Sequence, residues 1–206
     1  MPRYVDHDAR RSEIIRATLQ VLADEGPAGL RVRAVAGRMG GSTTVVTHYY
    51  RSRQDLLDSL IEDLAAWPAE VAEIEIGVED PRDRLRLFLR WLLPSDERGL
   101  LGETARINLI GERDARVRTE HLFAAWDRNV RSLLTRHVEE LMPNERVAAA
   151  VDVLRSITNG ITLSTVEHPE EWPCERQFAV LDDVLAALGL LPEVSGVPAR
   201  EEVLPA

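Results

Sequence analysis

Apolar side chains recur along the chain at helical spacing, and the breaks between them fall on glycine and proline. Ile14, Ile15, Thr18, Leu19 and Leu22 mark a first helix over about 8–25, closed by the stretch DEGPAG. Val32, Val35, Ala36 and Met39 stand at i, i+3, i+4 and i+7 and predict a short second helix over about 31–39. Gly40-Gly41 interrupts it. Ser42 then offers the hydroxyl of an N-cap to a third helix over about 43–50, with Val46 and Tyr50 turned inward. Ser52 and Asp55 start a fourth, whose core face is Leu56, Leu57, Leu60, Ile61 and Leu64 and which reaches Trp67-Pro68. Longer amphipathic segments follow at about 81–93, 96–111, 114–141, 145–167 and 174–189, punctuated by Pro94, Pro143, Pro169 and Pro173. The stretch AEVAEIEIGVED (69–80) reads either as an extension of the fourth helix or as a linker. No alternation is long enough for a strand, and no repeat is present. The pattern predicts an all-α chain of about nine helices, divided into 1–66, 67–190 and a tail over 191–206.

Composition narrows the class. With 206 residues, 45% hydrophobic and 29% charged, the chain can bury a core. It has no run of about 18 apolar residues, and charges stand where a signal peptide needs its apolar region. A cytoplasmic protein with no membrane partner is expected. The one cysteine, Cys174, has no internal disulfide partner. The five histidines are scattered; His121 and His137, sixteen residues apart, diverge by about 160° on a helix. No Cys/His set has zinc spacing, and no glycine-rich loop could cradle a phosphate. Catalytic residues, metals and cofactors are therefore not expected.

Charge adds a local signal. The net charge is −10, yet the first 55 residues hold nine arginines against six acids. All 25 basic residues of the chain are arginine. Two short helices joined by a tight glycine turn, within this locally basic segment, are the elements of a helix-turn-helix. The turn needs a residue tolerant of positive φ, and a small residue such as Ala36 lets the helices approach. The second helix can then enter a major groove. Thr43 and Thr44 suit base edges, since hydroxyls bond several of them. Thr47, His48 and Tyr49 reach phosphates further along, and Arg31, Arg33, Arg51 and Arg53 supply charge-assisted phosphate contacts.

Over about 10–65, the stretch RRSEIIRATLQVLADEGPAGLRVRAVAGRMGGSTTVVTHYYRSRQDLLDSL resembles the TetR/AcrR family of transcriptional regulators. The likeness lies in the EG turn, the short helix with VA and G, HYY where the family has an aromatic pair, and S-R where it has Ser-Lys. It implies base recognition by Ser42, Thr43, Thr44 and His48, and phosphate contacts from Arg31, Thr47, Tyr49 and Arg53. Thr43-Thr44 replaces a frequent Lys-Gly, so base preference is this chain's own. The stretch LRSITNGITLSTVEHPEEW resembles, more loosely, the C-terminal domain of the BetI-like branch. The resemblance implies a DNA-binding domain over 1–66 and a ligand-binding and dimerisation domain over 67–190.

Segments 145–167 and 174–189 carry apolar residues on two faces, so they must be buried centrally or by a second copy. The family arrangement, a homodimer, predicts an interface of Val151, Leu154, Thr158, Ile161, Phe178, Leu181 and Leu185. The alternative apolar face holds Val153, Ile157, Gly160 and Leu163, with Val180, Val184 and Ala187 on the last helix. Candidates for a small-molecule pocket are Trp67, Phe88, Trp91, Arg106, Asn108, Phe123, Trp126 and Asn159. The function expected is a ligand-responsive repressor of palindromic duplex DNA, released by an unknown small-molecule effector. An all-helical binding protein or enzyme with a vestigial helix-turn-helix is the alternative.

Overall fold

The structure, a computed structural model, describes residues 7–65, 67–111 and 113–191; within these, side chains are described except at 61–70, 112–119, 121 and 122. The expected tail from 192 onward, the side chain of Trp67 and the core positions Ile61 and Leu64 lie outside the described set. Ten helices and no strand are present among the described residues: α1 (His7–Gly29), α2 (Val32–Arg38), α3 (Thr43–Tyr49), α4 (Arg53–Ala65), α5 (Trp67–Ile74), α6 (Pro81–Trp91), α7 (Glu97–Gly111), α8 (Arg113–Glu139), α9 (Asn144–Glu167) and α10 (Cys174–Ala187). The ambiguous stretch 69–80 divides. Its first half belongs to α5, and its second half is a turn through Gly77, with Asp80 accepting from the amide of Arg82 to cap α6.

Two apolar cores form. The N-terminal core joins Ile14, Val21 and Leu22 of α1 to Val35, Val46, Tyr50, Leu56 and Leu60, and it also takes Ala105 and Leu109 from α7. The second core holds Leu85, Phe88 and Leu89 of α6, Val130, Leu134 and Val138 of α8, and the inner faces of α9 and α10. Helix α7 packs on α1 and also lies against α8 and α9, so it touches both halves.

The inner face of α9 is Val147, Ala150, Val151, Leu154, Arg155, Thr158, Ile161, Thr162 and Thr165; that of α10 is Gln177, Leu181 and Leu185. Six of the seven residues expected at a dimer interface lie on this inner face, all but Phe178. Val151, Leu154, Thr158, Ile161, Leu181 and Leu185 are each at most 5% exposed in a single chain, and Phe178 is half-buried under the Arg90 guanidinium, 4.5 Å from its ring centre. The six buried residues have no surface left to offer a second copy, whereas Phe178 keeps part of its ring exposed. The face left open is the other one, where Val153 and Leu163 are 43% and 46% exposed. An ion cluster braces α10 from the side: Asp182 accepts from Arg86 at 2.8 and 2.5 Å and from Arg90 at 2.9 Å.

Candidate nucleic-acid interface and effector region

The turn between α2 and α3 follows from its two glycines. Gly40 has φ +63 and its amide donates to Gly37, while the Gly41 amide reaches back to the Ala36 carbonyl at 3.0 Å. This pair of bonds is the Schellman motif, which closes the carbonyls of a helix end with one left-handed residue. Gly40 takes that role; Gly41 keeps an ordinary φ. Ala36, 2% exposed, stands where the chain crosses back.

Ser42 then caps α3, its Oγ accepting from the Thr44 amide at 3.2 Å. Val46 is fully buried and Tyr50 is 8% exposed, its hydroxyl accepting from Ser59 at 3.0 Å. These two residues fix which face of α3 points out. The start of α4 is closed by a reciprocal pair: Ser52 Oγ accepts from the Asp55 amide at 3.1 Å and donates to the Asp55 carboxylate at 2.6 Å, and that carboxylate also accepts from the Arg51 amide at 2.8 Å. Those bonds, the Ser52 hydroxyl first, hold the Asp55 carboxyl below the usual carboxylate range.

The predicted DNA contacts come together on this surface. Arg31, Arg33, Ser42, Thr43, Thr44, Thr47, His48 and Arg53 are exposed, and Tyr49 is half-buried. Several already have partners within the chain. Thr47 donates to the Thr44 carbonyl at 3.3 Å, Tyr49 Oη lies 2.8 Å from His7 Nδ1, and Arg53 donates to the Pro27 carbonyl at 2.8 Å. Ser42 is spent as a cap, so its hydroxyl positions the helix. One outward residue was not among the sequence candidates: Val45, 36% exposed. The apolar pattern assigns Val46 inward and says nothing of its neighbour.

The pocket candidates do not form one site. Phe88 is fully buried, stacks on Trp91 at 6.3 Å and lies 5.6 Å from the His137 ring, so it is core. Phe123 packs against the N-terminal core. Asn108 faces α1, its Nδ2 donating to the carbonyls of Leu22 and Ala23 at 3.0 Å each. The other three meet. Trp126 lies 5.9 Å from the Arg106 guanidinium and 4.9 Å from that of Arg155, and Asn159 accepts from Arg155 at 2.8 Å.

Arg155 itself, 5% exposed, organises this cluster with Asp127, which accepts from it at 2.7 Å and from Arg131 at 2.9 Å. Burial pulls the Arg155 pKa below arginine's ordinary value, against the opposing hydrogen bond and charge of Asp127. Burial also pushes the Asp127 carboxyl up, but Arg155 and Arg131 outweigh it and hold it low. The sequence does carry a signal for Arg155: it is a charge set on the buried stripe between Val151 and Thr158. Arg106 is engaged by Glu103 at 2.6 Å. A separate cleft of about 520 Å³ opens between α5, α6 and α8, lined by Val71, Glu75, Arg84, Asn129, Leu133 and His137 among others, and no pocket candidate with a described side chain lines it.

A capped helix-turn-helix on one core, tied through a shared helix to a larger helical domain, defines the class: a two-domain regulator of the helix-turn-helix type. Residues 81–190 match the family described as BetI-type transcriptional repressor, C-terminal, and residues 14–60 match bacterial regulatory proteins of the tetR family. The chain belongs to the tetR family. The chain is 33% identical over 93 residues to the HTH-type transcriptional regulator BetI of Burkholderia ambifaria, covering 43% of this chain and 47% of that protein. It is 30% identical over 92 residues to BetI 1 of Chromohalobacter salexigens, covering 43% and 45%. The chain thus spans about half the length of the curated relatives it matches. Among solved structures, a protein from Saccharomonospora viridis described as a transcriptional regulator, in complex with choline, superposes with a TM-score of 0.68 at 13% identity over 87% of this chain and 97% of that one. FadR from Bacillus subtilis, in complex with stearoyl-CoA, gives 0.64 at 18% over 91% and 99%. These structures share the fold.

Proposed function

We propose that the chain is a ligand-responsive, sequence-specific DNA-binding repressor that acts in the cytoplasm as a homodimer. The observation that carries this reading is the exposed row on α3, Thr43, Thr44 and His48, presented by a Schellman turn and a serine cap beside exposed arginines at 31 and 33. Residues 1–66 would read duplex DNA and residues 67–190 would take the effector and the partner copy. Two copies related by a two-fold axis present two α3 helices, which suits a palindromic site with half-sites about 34 Å apart or a multiple of it. The partner surface is the open face of α9 and α10, with Val153, Ile157, Gly160 and Leu163 beside Val180 and Val184.

The effector region we favour is the Arg106–Trp126–Asn159 cluster around Arg155. Helix α7 carries Arg106 on one side and Ala105, Asn108 and Leu109 on the side set against the DNA-binding core. A ligand that prefers one placement of α7 thereby prefers one spacing of the two recognition helices, and the coupling is reciprocal. The choline and stearoyl-CoA complexes of its structural neighbours support a small-molecule effector without naming it.

Fluorescence anisotropy of the full chain against duplexes selected from a random pool tests this. Several arginine–phosphate contacts give a Kd that rises steeply with salt, log K being linear in log salt. Absent binding, or binding flat in salt, would reject the reading.

A further inference from the structure

The outward surface of α3 is made of hydroxyls, a histidine and a tyrosine, with one exception. Val45 is 36% exposed while the adjacent Val46 is wholly buried. The Val45 amide donates to the Ser42 carbonyl at 3.0 Å, so its side chain rides on the capped first turn. A β-branched side chain in a helix holds nearly one χ1 rotamer, and both methyl groups are therefore fixed against that turn. At 100° per residue, Val45 shares its flank with Tyr49, about 40° away, and Thr47 lies about 160° around. Single exposed aliphatics are common on protein surfaces and mean little there. On a surface set against a major groove, such a side chain meets a specific partner. The groove edge of three bases offers only polar atoms, and thymine adds the C5 methyl.

We propose that Val45 reads a thymine methyl in each half-site, as a specificity-determining residue on the first turn of α3, which it shares with Thr43 and Thr44. The proposal rests on the DNA-binding reading above. Threonine hydroxyls both donate and accept, so they pair with several base edges and discriminate little. A valine, with two methyl groups and no hydroxyl, makes only the apolar contact, which adds a preference for thymine over cytosine at one pyrimidine position.

The test uses the full chain and a duplex selected from a random pool. Each thymine of one half-site is replaced in turn by deoxyuridine, which pairs alike and lacks only the methyl. Burying one such group is worth about 0.8 kcal/mol, or roughly a fourfold change in Kd. The expected result is one thymine whose replacement weakens binding by about fourfold for the natural chain and leaves Val45→Ala nearly unaffected. Circular dichroism of that variant should match the natural chain, because the side chain lies outside the core. If the duplex binds but no thymine is sensitive, or Val45→Ala keeps the full penalty, Val45 reads no methyl while the DNA-binding reading stands. If no duplex is enriched, both fall.

Discussion

The side-chain amide of Asn108 donates to the Ala23 carbonyl at 3.0 Å. That carbonyl lies in the last turn before Gly26, whose φ of +66 breaks α1, and the residue four on is Pro27, which has no N–H. Asn108 thus supplies a donor to this helix end, and it does so from α7, across the boundary between the two cores. Asn108→Ala takes a donor away from the carbonyls of Leu22 and Ala23 in a half-buried place. The expected cost is about 1–2 kcal/mol, read as a lower midpoint in urea with unchanged slope. If α7 transmits the effector signal, the same variant also loosens the dependence of DNA affinity on effector.

The glycine pair in the turn separates into one required residue and one free one. Gly40 has φ +63, and a Cβ there would meet nothing within 4 Å. Any cost of Gly40→Ala is therefore backbone conformation alone, about 1–2 kcal/mol. A Cβ on Gly41 also meets nothing within 4 Å, and its φ is not positive, so Gly41→Ala should change stability little. Thermal unfolding of the two variants checks the contrast; equal losses would mean that the turn is not held by the left-handed residue.

Much of this was legible because it is local. Ser42, Gly40 and Ser52 act within four residues of where they stand, and their chemistry can be read from neighbours. The apolar stripes gave α6 to α10 to within a few residues for the same reason. The choice between the two apolar faces of α9 was not local. It depends on where α7, α8 and α10 lie, the helices that pack against α9 and bury Leu154 and Ile161. The Arg155–Asp127 pair spans 28 residues, so its partner could not be named from spacing. Asn108 was closer to reach: Gly26-Pro27 after Ala23 already announces a helix end, although not which side chain answers its carbonyls.

Acid should destabilise the chain in two stages. Burial pushes the His137 imidazole below the ordinary histidine value, against the pull of Glu75, whose carboxylate lies 3.1 Å away. Arg84 and Arg136 add to the depression, and Glu140 opposes it. The unfolded chain takes up a proton near pH 6.5 and the folded chain resists it. Below about pH 6.5 the unfolded state then binds more protons, so stability falls as pH falls. Asp127 and Asp182, held low by their arginines, give a second loss in the carboxylate range. Unfolding midpoints from about pH 7.5 downward should show both, and His137→Gln should flatten the first while leaving the second.

The two faces of α9 make opposite predictions for similar substitutions. Leu163 is 46% exposed and Leu154 is fully buried, nine positions apart on one helix. A glutamate at 163 places a charge on the open face, where a solitary protomer would tolerate it. In a homodimer closed through that face, Leu163→Glu buries two like charges near the two-fold axis and separates the copies. Leu154→Glu sets an unpaired charge inside the protomer core and should unfold it. Sedimentation velocity with circular dichroism distinguishes the cases: Leu163→Glu is expected as a folded monomer with greatly weakened operator binding, since one recognition helix then acts without its twin. A folded dimer at Leu163→Glu would move the partner surface elsewhere on the helical domain.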